Sequence, residues 1–261
     1  MYKLTDKLAN TEKEKKKMKK FTFAKLRNYA KKHMDMYTEK TEQVLKAICY
    51  GHGGKMTGIL SISTSVLKNA LCAFRRKLSE VLKKNDHKCI CEKCFAANHT
   101  SYRKSLRDKL ARNTELLTSD IITVREMPAL HSDIEIFRIE SFGDISNVIQ
   151  AINYLNLIRK PENKHVMFAW WTKNPYLIAS ALKGIKKPSN LVIIYSSPFI
   201  NERAHENILK MYPFIDKIFT VYEKDYAREN GIKINCGSRE CNKCRRCYSK
   251  RTSVYVNELL K

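Results

Sequence analysis

Glycine and proline are scarce in this chain of 261 residues, at 8 and 6. That scarcity excludes a collagen-like or low-complexity architecture. No apolar run approaches the roughly 20 residues that span a bilayer. The lysine-rich N-terminus has no apolar block behind it, so no secretory signal is expected. Acidic side chains are also short in supply: 26, against 50 lysines and arginines, for a formal charge of +24. What is present suffices for a core. The chain is 43% hydrophobic and 10% aromatic, which excludes global disorder. Its length suits one large α/β domain or two small ones.

Abundant Lys, Asn and Ile are the mark of an AT-rich genome, which inflates lysine. Such drift raises glutamate too, and here acids are outnumbered nearly two to one. The surplus therefore points to a polyanionic partner, nucleic acid, rather than to a merely solvated basic surface. The candidate phosphate contacts are Lys15, Lys16, Lys17, Lys19 and Lys20 in the first basic tract, with Arg75, Arg76, Arg103 and Arg107 further on.

Residues 1–48 are expected to form a basic helical arm, with a short amphipathic stretch over 36–48. Gly51–Gly58 looks like a phosphate loop but lacks the Gly-Lys-Ser/Thr ending, so a flexible turn before a Ser-rich strand at Ile59–Ser65 is expected. Strands are expected at 133–140, 165–172, 190–196 and 217–222, and helices at 145–158, 175–182 and 202–211. Strand and helix alternate every 25–30 residues or so, the signature of a parallel α/β sheet. Four or five such units fall short of a full barrel, so an open or partial β/α barrel is expected over 49–235.

Ligands in such folds sit at the carboxyl ends of the strands. This makes Glu140, Gly143, Asp144, Trp171, Thr172, Lys173 and Ser196 candidates. Glu140, Asp144 and Lys173 are the catalytic candidates; Gly143, Asp144, Trp171, Thr172 and Ser196 are the cofactor-binding ones. Asp144 equally suits a helix N-cap for 145–158. Trp170 and Trp171 face opposite sides of one strand, one toward the core and one placed to stack a base. The Ser196-Ser197 pair has no histidine or acid near it in sequence, which argues against a serine nucleophile.

Nine cysteines carry the strongest signal. Cys236, Cys241, Cys244 and Cys247 lie within twelve residues. Two successive Cys-x-x-Cys steps fold back so that four sulfurs face one centre, as in tetrahedral zinc or a four-iron, four-sulfur (4Fe-4S) cluster. The compact run favours iron–sulfur, with zinc as the alternative metal, and makes 236–261 a C-terminal metal segment. A second group holds Cys89, Cys91 and Cys94, with Cys72 upstream. Cys89 and Cys91 point opposite ways if extended, so Cys72 is preferred as third ligand beside Cys91 and Cys94, with Cys89 the other option. Cys49 fits a core thiol; His87 and His99 fit solvated side chains. Three ligands leave an open metal position, where S-adenosylmethionine or a substrate atom can bind.

The chain resembles the phage gene-88 protein family. The resemblance runs from about Gly51 to Cys247, through Gly51–Gly58, Cys91-Glu-Lys-Cys94-Phe-Ala, Phe137-Arg-Ile-Glu-Ser-Phe-Gly-Asp144, Trp171-Thr-Lys-Asn174, Pro188-Ser-Asn-Leu191 and Asn235-Cys-Gly237 with the cysteines after it. The family usually carries tyrosine where Phe95 stands. This resemblance implies a phage or mobile-element protein in the cytoplasm of a bacterial host. A looser resemblance is to radical S-adenosylmethionine enzymes. It implies a partial barrel, a cluster held near the N-terminal end, and Gly143 and Asp144 holding the amino group of a bound methionine. Those enzymes space their cysteines Cys-x3-Cys-x2-Cys, whereas this chain has Cys-x-Cys-x2-Cys and the distant Cys72. An iron–sulfur enzyme acting on or near nucleic acid is the expectation. The alternatives are a zinc-stapled nucleic-acid-binding module without catalysis, or a nuclease using Glu140 and Asp144 with a divalent metal.

Overall fold

The computed structural model describes residues 22–51, 53–83, 88–237 and 240–260. Lys15, Lys16, Lys17, Lys19, Lys20 and His87 lie outside the described residues. In chain order the elements are α1 (Phe23–His33), α2 (Glu39–Ala47), β1 (Cys49–Tyr50), β2 (Leu60–Ile62), α3 (Ala70–Lys83), α4 (Phe95–Tyr102), α5 (Lys104–Ser119), β3 (Ile136–Ile139), α6 (Val148–Arg159), β4 (Met167–Thr172), α7 (Pro175–Ala181), β5 (Leu191–Ser196), α8 (Asn207–Met211), β6 (Lys217–Tyr222), α9 (Lys224–Glu229), α10 (Cys241–Cys244) and β7 (Tyr255–Leu259).

The seven strands form one sheet in the order β1-β2-β3-β4-β5-β6-β7. Only β1 runs antiparallel, against β2; from β2 to β7 every neighbour is parallel. Parallel strands laid down in sequential order through right-handed crossovers place their helices on one side of the sheet. The side chains divide accordingly. Phe137 and Ile139, Phe168 and Trp170, and Leu191 and Ile193 belong to one core with Leu155, Ile158 and Ile178 of the helices. The alternate residues Ile136, Ala169, Val192 and Ile194 form a second, smaller cluster under Tyr248. Period-two alternation along each strand makes this division. The long loop between Asp120 and Glu135 lies on the helical side, where Ile122, Met127, Leu130 and Ile134 join the main core.

The first two described helices pack into the main core, and the last described strand is part of the sheet. Leu26 and Ala30 of α1 and Val44, Leu45 and Ala47 of α2 belong to the main core. A reciprocal bond between Thr38 and Thr41 caps α2, and the Thr41 hydroxyl donates to the Glu126 carbonyl at 2.8 Å. β7, inside 236–261, is the last strand of the sheet. The helix expected over 145–158 starts at Val148, because Asn147, not Asp144, is its N-cap: the Asn147 side chain accepts from Gln150 N at 2.8 Å. No described helix is long and apolar enough to cross a membrane.

Two buried asparagines fix the loop before β3. Asn153 accepts from Ile122 N at 2.7 Å and donates to the carbonyls of Leu117 and Asp120. Asn163 accepts from Leu130 N at 2.7 Å and donates to Pro128 and Leu157. Each replaces a turn of regular structure for backbone groups that are otherwise orphaned in the core. Asn163→Leu, of similar volume, is expected to cost about 2–3 kcal/mol in chemical denaturation, the penalty of stranding buried backbone groups.

Candidate functional site

The carboxyl ends of the strands converge on two buried carboxylates. Glu140 follows β3 with φ of 54°, a left-handed conformation rare outside glycine. It is 2% exposed and takes five donors: Thr64 N at 3.1 Å, the Thr64 hydroxyl at 2.8 Å, Gly143 N at 3.1 Å, Gln150 Nε2 at 2.7 Å and the Tyr154 hydroxyl at 2.5 Å. Burial pushes its pKa up to about 7, with the Tyr154 and Thr64 hydrogen bonds pulling it down. Five donors fill the acceptor positions of a carboxylate, so Glu140 positions the strand ends and presents no free oxygen to a substrate or metal.

Asp144 joins β3 to β4. Its Oδ1 accepts from the Thr172 hydroxyl at 2.7 Å and from Ile145 N at 2.8 Å, and its Oδ2 accepts from Lys173 N at 2.7 Å. Desolvation raises its pKa, against the charge of Lys173. Gly143 is fixed by space: a Cβ there would stand 2.7 Å from both Glu140 Oε2 and the Thr64 carbonyl oxygen. Ser63 and Ser141 complete the clasp, their hydroxyls 2.8 Å apart. The Ser-rich segment expected as part of a strand is strand only through Ile62; Ser63–Ser65 leave the sheet to hold this turn.

The first cysteine group lies over the same edge. The segment from Lys88 to Ile90 pairs with 198–200 beyond β5: Ile90 N donates to Pro198 O at 2.9 Å and Ile200 N to Lys88 O at 2.7 Å, and Cys89 bridges Phe199. Cys72 comes from α3, which Asn69 ties to the turn: its side chain accepts from Cys72 N at 3.1 Å and donates to Asp144 O at 2.7 Å. Burial pushes the Cys72 thiol up to about 12, and it feels the charges of Asp144, Lys173 and Cys94. Cys91 also feels Lys173, so that ammonium serves both thiols. Cys91 is hydrogen-bonded to Cys89, which lowers the pKa of Cys89 and raises that of Cys91. Arg75 donates to the Lys173 carbonyl at 3.1 Å, so this guanidinium is anchored at the strand ends. Ser196 is buried there, and the Ser197 hydroxyl accepts from Ala204 N at 2.9 Å.

The second group covers the other face of the sheet. Cys236, Cys241, Cys244 and Cys247 all line one cavity of about 300 Å³, with Arg246 and Tyr248. Tyr248, in a turn of 3-10 helix at Arg246–Tyr248, plugs the small core, and Cys241 and Cys247 pack beside it. Its hydroxyl is buried without a hydrogen-bond partner. Arg138, the polar residue inside the apolar strand β3, points to this face; its guanidinium lies 3.9 Å from the Trp171 ring centroid and its Nε is buried unpartnered. Trp171 is therefore occupied by Arg138 and Tyr248, the latter edge-on at 6.3 Å, and is not an open base-stacking platform. Trp170 is the core partner of the pair, as expected.

The Gly51–Gly58 segment is a hairpin turn, closed by Gly51 N to Ile59 O and Gly58 N to Gly51 O, both 2.9 Å. It presents Lys55 to the cysteines: the ammonium lies 3.4 Å from Cys236 Sγ and pairs with Glu258 of β7. The lysine thus links the β1–β2 hairpin to the far edge of the sheet. Burial pushes Cys247 up to about 12 and also raises Cys236 and Cys241. Buried neutral thiols become ligands only when a cation draws the proton off. All nine cysteines are free, and Cys49 is half-buried on β1. Among the described residues no three or more of His, Cys, Asp and Glu stand close enough together to hold a metal ion.

The sequence pattern brought the two cysteine groups and the Ser141–Asp144 turn into view but missed Thr64, Gln150, Tyr154, Lys55, Arg138 and Tyr248. Arg138 had a signal: a cation at the third position of Ile-Phe-Arg-Ile has to meet a polar partner on its face. The protein is thus an α/β protein with a sequential, mostly parallel sheet, one cysteine group at the strand ends and another across the face opposite the main core. A family model described as gene product 88 matches residues 26–251, and the chain belongs to that family. No curated protein and no solved structure matches it.

Gly143→Ala is expected to destabilise the fold by about 2–4 kcal/mol in denaturant melts, since the clashing atoms are backbone and a buried carboxylate. Glu140 holds its proton more tightly folded than unfolded, so its contribution is fully present below its ordinary value of 4.5 and is lost as pH rises through about 7. Stability measured across that window should fall for the wild type, and Glu140→Gln should lack that component.

Proposed function

We propose that this chain is an iron–sulfur protein built on an open half-barrel. In this proposal Cys72, Cys91 and Cys94 hold a cluster at the strand ends, Cys236, Cys241, Cys244 and Cys247 hold a second, and the protein carries out S-adenosylmethionine-dependent redox chemistry on or near nucleic acid. The observation that carries it is the order of parts along the sheet. The first parallel strand, β2, leads into the segment with Cys72 to Cys94. The second, β3, leads into the Ser141–Asp144 turn, and four more parallel strands follow in sequence. That order supports the looser resemblance better than the cysteine spacing does.

The donor sets fit such clusters chemically. Both consist of thiols beside buried or half-buried cations, Lys173 and Arg75 in one, Lys55 and Arg138 in the other. Positive charge beside thiolates favours their ionised, ligating form. Ligation requires the thiol side chains to turn toward a common centre; Cys91, Cys94 and the four C-terminal cysteines sit on loops, helix starts or short helical turns, whereas Cys72 is held in the first turn of α3. When bound, a cluster held by Cys72, Cys91 and Cys94 would supply one-electron redox chemistry at this site. In this proposal Gly143 and Asp144 hold the amino group of S-adenosylmethionine; the bonds from Thr172 and Lys173 N that fix Asp144, and its charge acting on Cys72, support the assignment. Lys173 sets positive charge between Cys72, Cys91 and Asp144. Glu140 keeps the turn in place.

The four C-terminal thiols around one cavity also suit tetrahedral zinc, the basis of the non-enzymatic alternative. Nothing favours the nuclease alternative, since the oxygens of Glu140 are spent on protein donors. The test is metal and sulfide content by site. Cys94→Ser is expected to remove one cluster's worth of iron, Cys241→Ser the other, each leaving the remainder. Iron content unchanged by both variants would sink the two-site proposal.

A further inference from the structure

Beside the first cysteine group runs a line of side chains that the redox chemistry leaves unused. α4 begins directly after Cys94, and Phe95, His99 and Tyr102 fall on one face of it at helical spacing. Phe95 packs against Phe142 of the strand-end turn with ring centroids 5.5 Å apart. His99 lies 5.7 Å from Phe95, Tyr102 lies 5.6 Å from His99, and the Arg103 guanidinium stands 5.5 Å over the Tyr102 ring. Ala96 and Thr100, on the opposite face, are buried and hold the helix down. Phe95 is 57% exposed and Tyr102 61% exposed, values that rings filling a core do not have. The rings are tilted or edge-on to one another rather than stacked face to face, and Phe95 and Tyr102 keep more than half of their surface exposed.

The surroundings are strongly basic. From Phe95 to Arg112 the sequence carries Arg103, Lys104, Arg107, Lys109 and Arg112 against Asp108 alone. Lys109 donates to the Ile48 carbonyl at 3.0 Å and is structural, but Arg103 and Lys104 are exposed. Exposed rings interleaved with cations are what a nucleic-acid strand with unpaired bases requires. The bases stack on the rings and the phosphates meet the cations. A duplex already stacks its bases on one another and gains nothing from the rings. The line starts at Phe142, two residues from Asp144, so a strand following it ends at the proposed chemistry.

We propose that α4 is a stacking track for single-stranded nucleic acid, which Phe95 and Tyr102 grip and Arg103 anchors, and which feeds a base toward the Phe142–Asp144 turn. This deepens the nucleic-acid part of the proposed function and rests on it, but does not depend on which metal the cysteines hold.

The experiment is fluorescence anisotropy of the full chain with a labelled oligonucleotide of about 15 nucleotides, single-stranded and as its duplex. The single strand is expected to bind more tightly. Phe95→Ala and Tyr102→Ala should each weaken single-strand binding by about tenfold, the lower range of what a lost base–ring stack costs, and leave duplex binding unchanged. Phe95→Tyr should retain it. Arg103→Ala should lower the salt dependence. Both alanine variants remove exposed rings, and thermal melts check that each stays folded. Equal affinity for single strand and duplex, untouched by the alanine variants, overturns the track while leaving a nucleic-acid partner in place. No binding to either overturns both.

Discussion

The strand-end architecture hangs on one buried carboxylate. Glu140 sits in a left-handed backbone conformation that costs on the order of 1–3 kcal/mol for a non-glycine residue and persists only where surroundings over-determine it. Its five donors do so. They come from the segment after β2, from the turn after β3 and from α6, so one side chain ties two strand ends to the helix that follows. Asp144 extends the same tie to β4 through Thr172 and Lys173. The geometry around Cys72 is set by this network, because Asn69 bonds both the Asp144 carbonyl and the start of α3.

The sheet has two unlike faces, and the difference assigns separate work to the two cysteine groups. Helices cover one side with a large apolar core. The other side carries Arg138, Trp171 and the short apolar cluster beneath Tyr248, and the C-terminal cysteine loop is its lid. That lid reaches from the hairpin, through Lys55, to β7, through Cys236 and Glu258. The first group instead lies beyond the carboxyl ends, where ligands bind in parallel sheets. The C-terminal loop therefore has a packing role, and the proposed chemistry is assigned to the trio.

Much of this was legible in the sequence. Alternating apolar residues located the parallel strands from β3 to β6, and β6 at 217–222 falls where expected. The strand-end rule picked Glu140, Gly143, Asp144, Thr172 and Lys173, all of which meet in space. Roles were less legible than positions. Asp144 looked like a helix cap, yet Asn147 is the cap, because the chain needs three more residues to bring Asp144 across to β4. Trp171 looked free to stack a base, yet Arg138 covers it from a strand whose partner could not be read from local pattern. β7 escaped notice because Tyr-Val-Asn-Glu-Leu is too polar and short to stand out until β6 pairs with it. Long-range partners such as Thr64 with Glu140, 76 residues apart, have no local signature.

The central claim is that both thiol groups ligate iron–sulfur clusters. Iron, zinc and acid-labile sulfide determined on anaerobically prepared full-length protein test it most directly. The account predicts iron and sulfide in equal amounts, sufficient for two four-iron clusters per chain. Stoichiometric zinc with neither iron nor sulfide would contradict it.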